Sequence, residues 1–299
     1  MTDRSEGPPR GVGERWSGAR PETSEDERQV ALVTGASAGI GKAIARRLLS
    51  DGWTVYGAAR RIQKMADIEA EGARVLPLDV TDDESMRSAV ETLLLDEGRI
   101  DALVNSAGYG TYGALEEVEM DEARRQFEVN VFGLVRMIQL VLPTMREQGS
   151  GTVVNISSMG GRIWMPIGGW YHATKHALEV LSDTLRLEVR SFGIHVVVIQ
   201  PGAIESEWSE VAAEILEGQS RSTRYSELSE SMGALLRDYD DAASPEVVAG
   251  VVSKALRTSR PRRRYTIPSQ AKALVLLRWI LPDWAWDRMV LAIFKGARS

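Results

Sequence analysis

Short apolar runs alternate with longer helical patterns along most of the chain. The runs are rich in β-branched residues, and apolar residues recur at helical spacing in the segments that follow them. This alternation is typical of parallel sheets with helices on both faces. It predicts one doubly wound α/β domain of the Rossmann type over residues 29–299, with strands at 30–33, 53–58, 74–78, 102–104, 152–156, 194–199 and 265–267.

Polar residues and glycines between the runs predict where helices begin and end. Asp51-Gly52 should close the first helix. Thr81 and Glu84 have the spacing of a capping box, which predicts the start of a helix toward Leu95. Further helices are expected at about 121–146, 170–191 and 245–256, and in the C-terminal segment 270–299.

Three segments depart from this alternation. Residues 1–28 are rich in Gly, Pro, Arg and Glu and lack the apolar stretch of a secretory signal, so a flexible tail is expected. Residues 205–241 are polar and rich in Ser and Glu, which favours a lid. Residues 270–299 are apolar and Trp-rich, but charges and Pro282 interrupt them, so a membrane span is not expected. Packing against the domain or another subunit is the first expectation, and contact with a membrane surface is the alternative.

Composition excludes several classes of protein. Hydrophobic residues make up 43% and charged residues 26%, which is an ordinary globular mixture. The net charge of -6 disfavours a nucleic-acid partner, and the single basic run, residues 262–264, is short. The chain has no cysteine, so disulfides and thiolate sites are excluded, and a reducing, cytoplasmic location is expected.

A glycine-rich turn follows the first strand and opens directly into a helix. Glycines let the backbone turn sharply and approach a pyrophosphate, and a helix N-terminus offers free N–H groups. The turn therefore predicts a dinucleotide site formed by Gly35, Ser37, Ala38, Gly39, Ile40 and Gly41.

The end of the second strand predicts which dinucleotide binds. An acidic residue there would accept hydrogen bonds from the ribose 2′-hydroxyl and repel a 2′-phosphate. The chain instead has Ala59 followed by Arg60 and Arg61, and guanidinium groups bind phosphate. This favours NADP(H), although the two arginines could also belong to a solvated loop.

Several ordered motifs resemble those of the short-chain dehydrogenase/reductase family, in particular its lipophilic-carbonyl and steroid-dehydrogenase-like branch. The glycines are spaced G-x-x-x-G-x-G, and Asn105-Ser106-Ala107-Gly108 is similar to the family's N-N-A-G, with Ser106 in place of the second Asn. Asn130, Ser158, Tyr171 with Lys175, and Pro201-Gly202 follow in the family's order. The resemblance covers residues 30–206 strongly and implies that the cofactor site also includes Asp79, Val80, Asn105, Ala107, Gly108, Tyr171, Lys175, Pro201, Gly202, Ile204 and Ser206.

Tyr171 and Lys175 lie four residues apart on a predicted helix and therefore share one face. A lysine charge at ~4 Å would lower a tyrosine pKa by roughly three units before desolvation is counted. The resemblance implies that Tyr171 is the acid/base, that Lys175 also binds the nicotinamide ribose, that Ser158 binds the substrate oxygen and that Asn130 supports a proton relay. The expected function is NADP(H)-dependent hydride transfer at a carbonyl or alcohol carbon; the alternative is a non-catalytic NADP(H) sensor.

Aromatic residues near this centre suggest an apolar substrate. Trp164, Trp170 and Trp208 could wall a pocket for a lipophilic carbonyl or alcohol, or could serve core and subunit packing instead. His172 and His176 also share a helical face, but no third ligand is apparent, so no metal site is expected. A homodimer or homotetramer is expected.

Overall fold

The computed structural model describes residues 28–205, 212, 213, 216, 224–237 and 242–296. Its seven strands form one sheet in the order β3-β2-β1-β4-β5-β6-β7, and every pairing is parallel. The predicted Rossmann-type architecture is confirmed, and each predicted strand is present with bounds that differ by at most two residues. The strands are β1 (Val30–Thr34), β2 (Thr54–Ala59), β3 (Arg74–Pro77), β4 (Ala102–Asn105), β5 (Gly151–Ile156), β6 (Ile194–Pro201) and β7 (Arg264–Ile267).

Helices cover both faces of this sheet and continue beyond its last strand. The predicted helix at 121–146 is a continuous segment in which a π-helical stretch, Glu128–Gly133, separates α4 from α5. The helices are α1 (Gly39–Ser50), α2 (Ala66–Ala70), α3 (Asp83–Glu97), α4 (Met120–Phe127), α5 (Leu134–Gln148), α6 (Gly169–Glu188), α7 (Ser226–Arg237), α8 (Pro245–Arg257), α9 (Ser269–Ile280) and α10 (Asp283–Gly296).

The capping box predicted at Thr81 and Glu84 is wrong. Asp82 caps α3, and its carboxylate accepts a hydrogen bond of 3.0 Å from the backbone N–H of Glu84. Thr81 instead donates both its backbone N–H and its hydroxyl to the carboxylate of Asp79, at 3.0 and 2.8 Å. Because the Asp79 carboxylate is a charged acceptor close to Thr81, it binds the hydroxyl that the spacing predicts to cap α3.

Alternate residues of each central strand fill opposite faces of the sheet. In β1, Ala31 and Val33 belong to the core beneath α1 and α8, whereas Leu32 belongs to the core beneath α3, α5 and α6. Both sets of side chains are fully buried. This two-sided burial explains why the strands read as uninterrupted apolar runs in the sequence.

A third apolar cluster lies outside the sheet, where α7, α9 and α10 meet the loop between β5 and α6. Trp286 of α10 is fully buried there, and its indole N–H donates a hydrogen bond of 3.4 Å to the carbonyl oxygen of Trp164. The expected packing of the C-terminal segment against the domain is therefore confirmed for one face of its helices.

One helical segment of the described residues, Met120–Gln148, is long and apolar enough to cross a membrane by length and composition. Met137, Val141 and Met145 of this segment are buried against the sheet. Core packing accounts for its apolar composition.

Arg264, which ends the basic run at 262–264, is not a solvated side chain. Its guanidinium donates hydrogen bonds to Glu179 and Asp183 of α6, at 2.8 and 2.6 Å. These ion pairs join β7 to α6, so the run does not form a continuous basic patch.

Candidate active site

A cavity of about 610 Å³ opens beyond the carboxyl ends of the strands, at the point where the strand order reverses between β1 and β4. Open α/β sheets bind ligands at such a point. Ser206 and Trp208 lie outside the described residues. The predicted site residues that line the cavity are Gly35, Ser37, Ala38, Gly39, Ile40, Gly41, Arg60, Arg61, Asp79, Val80, Ala107, Gly108, Ser158, Tyr171, Lys175, Pro201, Gly202 and Ile204.

The turn between β1 and α1 requires glycine for steric reasons. Gly35 and Gly39 have φ angles of +71° and +51°, which side chains disfavour. A Cβ at Gly41 would lie 2.4 Å from the carbonyl oxygen of Gly35. The first turn of α1 contains no acidic residue, and its cap, Ala38, makes no side-chain hydrogen bond. The turn thus forms a cradle, with a helix N-terminus, that fits the pyrophosphate of a dinucleotide.

Two arginine side chains lie at the end of β2. Arg60 and Arg61 line the cavity, and neither forms a salt bridge with any residue in the described ranges. A side-chain N–H of Arg61 donates a hydrogen bond of 3.5 Å to the hydroxyl of Ser37. Although burial opposes it, hydrogen bonds from Thr81 hold the pKa of Asp79 below its usual range, and the charge of Arg60 adds to this effect. An adenosine 2′-phosphate fits this corner of the cavity by charge.

Ser158, Tyr171 and Lys175 come together at the other end of the cavity. Ser158 is the N-cap of a short 3-10 helix, Met159–Gly161, that follows β5, and its hydroxyl accepts a hydrogen bond of 3.0 Å from the backbone N–H of Gly160. The hydroxyl groups of Ser158 and Tyr171 are hydrogen-bonded to each other. Lys175 lies one helical turn after Tyr171, and its ammonium donates a hydrogen bond of 3.0 Å to the carbonyl oxygen of Ile156.

Burial, rather than the lysine charge, dominates the titration of this pair. Burial raises the pKa of Tyr171 to about 12, and the hydrogen bond with Ser158 offsets only part of that rise. Burial lowers the pKa of Lys175 to about 8, against the attraction of Glu179. The expected lowering of the Tyr171 pKa by Lys175 is therefore wrong for the protein alone. The ammonium lies 5.9 Å from the Tyr171 ring centroid, and Tyr171 keeps its proton at neutral pH.

Asn130 lies in the π-helical stretch, and its side chain does not line the cavity. Its amide N–H groups donate to the carbonyl oxygen of Tyr109 at 2.8 Å and to the hydroxyl of Thr174 at 3.2 Å. Its amide oxygen accepts from the backbone N–H of Tyr109 at 3.0 Å. The side chain thus joins the loop after β4 to α6, the helix that carries Tyr171 and Lys175. A role in a proton relay stays a prediction.

The position of the Asn105 side chain does not agree with the prediction that this residue contacts the cofactor. Its side chain does not line the cavity; it donates a hydrogen bond of 3.0 Å to the amide oxygen of Asn155 in the neighbouring strand. Asn155 in turn donates to the hydroxyl of Ser182 on α6. The buried amide of Asn105 is satisfied within the sheet, which explains why it turns away from the cavity.

Two of the tryptophans predicted to wall a substrate pocket do not line the cavity. Trp170 packs edge-to-face against Phe127 of α4, with ring centroids 6.3 Å apart. Trp164 lies under the guanidinium of Arg278, which is 4.1 Å from its ring centroid, and contacts Trp286. Both indoles therefore serve packing, which was the alternative reading of these residues.

Apolar side chains from distant parts of the chain form the wall beyond Tyr171. Most come from the loop between β5 and α6 and from α7 and α10. Because these segments are far apart in the chain, no sequence pattern predicts that their side chains line one cavity. No charged side chain of the described residues lies among them. These wall residues are Tyr112, Ile163, Met165, Ala212, Met232, Leu235, Leu236 and Ile293.

The two histidines of α6 contact backbone groups. A ring nitrogen of His172 lies 3.0 Å from the carbonyl oxygen of Gly160, and one of His176 lies 2.9 Å from the carbonyl oxygen of His172. Within the ranges that the structure describes, no group of three or more His, Cys, Asp or Glu side chains could hold a metal ion.

Comparison with known proteins places this geometry in a family. The family model described as short chain dehydrogenase matches residues 29–215. Human 17-beta-hydroxysteroid dehydrogenase type 1 is 35% identical over 90% of this chain and 85% of its own length. The NADPH-dependent 3-dehydrocapnine reductase of Ornithobacterium rhinotracheale is 32% identical over 87% of this chain and 95% of its own length.

A solved structure of a short-chain dehydrogenase from Streptomyces avermitilis superposes with a TM-score of 0.77. It is 34% identical in sequence and covers 92% of this chain and 99% of its own. The fold, the glycine turn at the switch point and the grouping of Ser158, Tyr171 and Lys175 agree with the family match along most of the chain. The chain therefore belongs to the short chain dehydrogenase family of oxidoreductases.

Proposed function

We propose that the protein transfers a hydride between NADP(H) and the carbonyl or secondary alcohol carbon of an apolar substrate, with Tyr171 as acid/base. The observation that carries this proposal is one continuous cavity with two chemically different ends. Arg60 and Arg61 provide positive charge at one end, and the hydrogen-bonded hydroxyls of Tyr171 and Ser158 meet an apolar wall at the other.

The cofactor, when bound, supplies or accepts the hydride. Tyr171 is protonated at neutral pH, since a tyrosine pKa is ordinarily near 10 and burial raises it further, so it can donate a proton to a substrate oxygen during reduction. Ser158 lies within hydrogen-bond reach of the same hydroxyl and can orient that oxygen. The Lys175 ammonium, held by Ile156, adds positive charge beside Tyr171, which favours the anion left after proton donation.

The apolar wall supports a lipophilic substrate. Met232, Leu235 and Leu236 of α7, with Ile163 and Met165 of the loop before α6, offer no charge to bind a polar or ionic group. Two of the relatives, one a hydroxysteroid dehydrogenase and the other an NADPH-dependent reductase, support an apolar substrate and NADPH as the cofactor.

Exposed apolar side chains on α6 support the proposal of a homodimer or homotetramer. Val180 and Leu187 are about two-thirds exposed, and Leu181 is also exposed. They lie on the face of α6 turned away from the active site, and a second subunit would remove them from water.

A substrate screen tests the proposed function. NADPH consumption should be measured with steroid ketones, long-chain ketones, quinones and short hydrophilic aldehydes, using Tyr171→Phe as the inactive control. Turnover should be found with the apolar carbonyls and should be much lower with the hydrophilic ones. Tight NADPH binding without turnover of any class would favour the non-catalytic sensor, and better turnover of the hydrophilic aldehydes would exclude the apolar pocket as the substrate site.

A further inference from the structure

The last two helices leave a large apolar surface uncovered by the described residues. On α9, Leu276, Leu277, Trp279 and Ile280 are exposed, and Trp279 is 84% exposed. On α10, Trp284 is 69% exposed and Leu291 is about half exposed. We call these six side chains the C-terminal patch. Exposed apolar residues grouped in this way on two consecutive helices are typical of interaction surfaces.

The opposite faces of the same helices are firmly packed. Trp286, Val290 and Phe294 of α10 are buried in the third apolar cluster. Arg278 of α9 stacks on Trp164 and donates a hydrogen bond of 2.6 Å to Asp283. The orientation of both helices is thus fixed by their buried faces, and the patch is displayed outward by that packing.

Exposed positive charge lies on the same two helices as the patch, in a protein whose net charge is -6. Lys272, Arg288 and Lys295 are exposed and form no ion pair with any residue that the structure describes. The acidic side chains on these two helices are Asp283, which Arg278 neutralises, and the exposed Asp287. The excess charge of the two helices is therefore positive.

Apolar and basic residues share the exposed face of α10. Trp284, Arg288, Leu291 and Lys295 recur at i, i+4, i+7 and i+11, which places them along one side of a helix. Trp and Leu beside Lys and Arg are typical of helices that lie on anionic lipid. Lys is depleted from the centres of protein–protein interfaces, so a second copy of the chain fits this face less well.

The helix that carries part of the patch also borders the cavity, by its opposite side. Ile293 of α10 is more than a third exposed, and it lines the cavity wall. The helix that carries Trp284 and Leu291 on its outer face therefore forms part of the wall that encloses the apolar end of the cavity.

We propose that the C-terminal patch docks the protein on the surface of an anionic membrane, with α9 and α10 lying at the lipid interface. Tryptophans settle at the boundary between acyl chains and headgroups, and Lys272, Arg288 and Lys295 contact the anionic headgroups. In this position α10 lies between the lipid and the apolar end of the cavity, because Ile293 lines the cavity from the side of α10 opposite Trp284. A protein docked in this way meets apolar carbonyl compounds at the membrane where they dissolve; this last step rests on the proposed function.

Co-sedimentation of the full chain with vesicles tests the docking. Vesicles that contain phosphatidylglycerol should bind the protein, and vesicles of phosphatidylcholine alone should bind it at least ~10-fold more weakly, with the difference lost in high salt. Trp279→Ser with Trp284→Ser should weaken binding to anionic vesicles by ~10-fold or more. Lys272→Glu with Arg288→Glu should remove the preference for anionic lipid.

A matched control removes two exposed apolar side chains elsewhere, Leu95→Ser with Val247→Ser, and should bind vesicles as the parent does. The proposal is overturned if the parent does not bind anionic vesicles, or if this control loses as much binding as the tryptophan variant. It is also overturned if the tryptophan variant only changes the oligomeric state in sedimentation velocity, because the patch is then a subunit interface. NADPH turnover with the apolar carbonyls of the substrate screen, measured without vesicles, separates the two proposals, since vesicle binding without turnover of any of them would contradict the proposed function alone.

Discussion

The ammonium of Lys175 donates a hydrogen bond of 3.0 Å to the carbonyl oxygen of Ile156, two residues before Ser158 in the chain. This bond joins α6 to the end of β5. The hydroxyls of Tyr171 and Ser158 join the same two elements a second time. Ser158, Tyr171 and Lys175 are therefore held by a strand and a helix that are both built into the core, which fixes their relative positions without a bound ligand.

Replacing Tyr171 by Phe should remove turnover while keeping the fold. The ring packs against Tyr112, with centroids 5.6 Å apart, and this contact survives the substitution. Loss of the transferable proton should lower kcat by at least ~10²-fold, as is usual for general acid/base groups. Steady-state kinetics with the best substrate from the screen, together with NADPH titration, measures both effects. A variant with near-parent kcat while hydride transfer is rate-limiting would require another proton donor.

Arg60 should decide between NADPH and NADH. Arg60→Ala removes a cation from the corner of the cavity that fits the 2′-phosphate, and a charge-assisted hydrogen bond contributes about 1.5–3 kcal/mol. NADPH affinity should therefore fall by ~10–100-fold, and NADH affinity should change little. Arg87→Ala, which removes an exposed arginine of α3, is the control. Dissociation constants from fluorescence titration give the comparison, and equal affinities for both cofactors in the parent would contradict the assignment.

Residues 205–241 should close over the cavity when both ligands are bound. Part of this segment lies outside the described residues, but α7 contributes Met232, Leu235 and Leu236 to the cavity wall. Contact with a substrate should stabilise the helix and slow its amide exchange. Hydrogen exchange of α7 should be compared between the free protein and the complex with NADP⁺ and an alcohol substrate, with α3 as an internal reference. Unchanged exchange in a complex shown to be competent would remove the lid hypothesis.

His172 should make the protein less stable as the pH falls. Burial lowers its pKa to about 4, below the 6.5 of an unperturbed histidine, so the folded state holds it neutral while the unfolded chain takes up a proton. The unfolded state thus binds more protons between pH 6.5 and 4, and stability falls as the pH is lowered through this window. Between pH 7.5 and pH 5 this one group should cost about 2 kcal/mol of the free energy of unfolding.

Urea unfolding of the parent and of His172→Asn tests this effect. The Asn amide can still donate to the carbonyl oxygen of Gly160, so the contact is retained while the titration is lost. The difference in unfolding free energy between pH 7.5 and pH 5 should be smaller in the variant by about 2 kcal/mol. His176→Asn, one turn later on α6, is the matched control. If both variants lose stability as the parent does, His172 does not titrate as its burial requires.

Much of the fold could be predicted because it is encoded locally. The seven strands follow from apolar runs, and the glycine turn follows from backbone angles and close contacts that only glycine permits at Gly35 and Gly41. Prediction from local spacing was wrong where another hydrogen-bond acceptor lay nearby. Thr81 has the spacing of a helix cap, but its hydroxyl donates a hydrogen bond to the carboxylate of Asp79 instead.

The chain order alone therefore determined the parallel sheet, the phosphate-binding turn and the shared helix face of Tyr171 and Lys175, since each depends on residues close together in sequence. Only the tertiary structure decided which side chains wall the cavity, because Met232 and Ile293 approach it from helices far along the chain. It also decided that Trp170 packs on Phe127 and that the pKa of Tyr171 rises rather than falls. Both the packing of Trp170 and the pKa of Tyr171 depend on burial. Burial in turn depends on helices and loops that lie far from Tyr171 in the sequence.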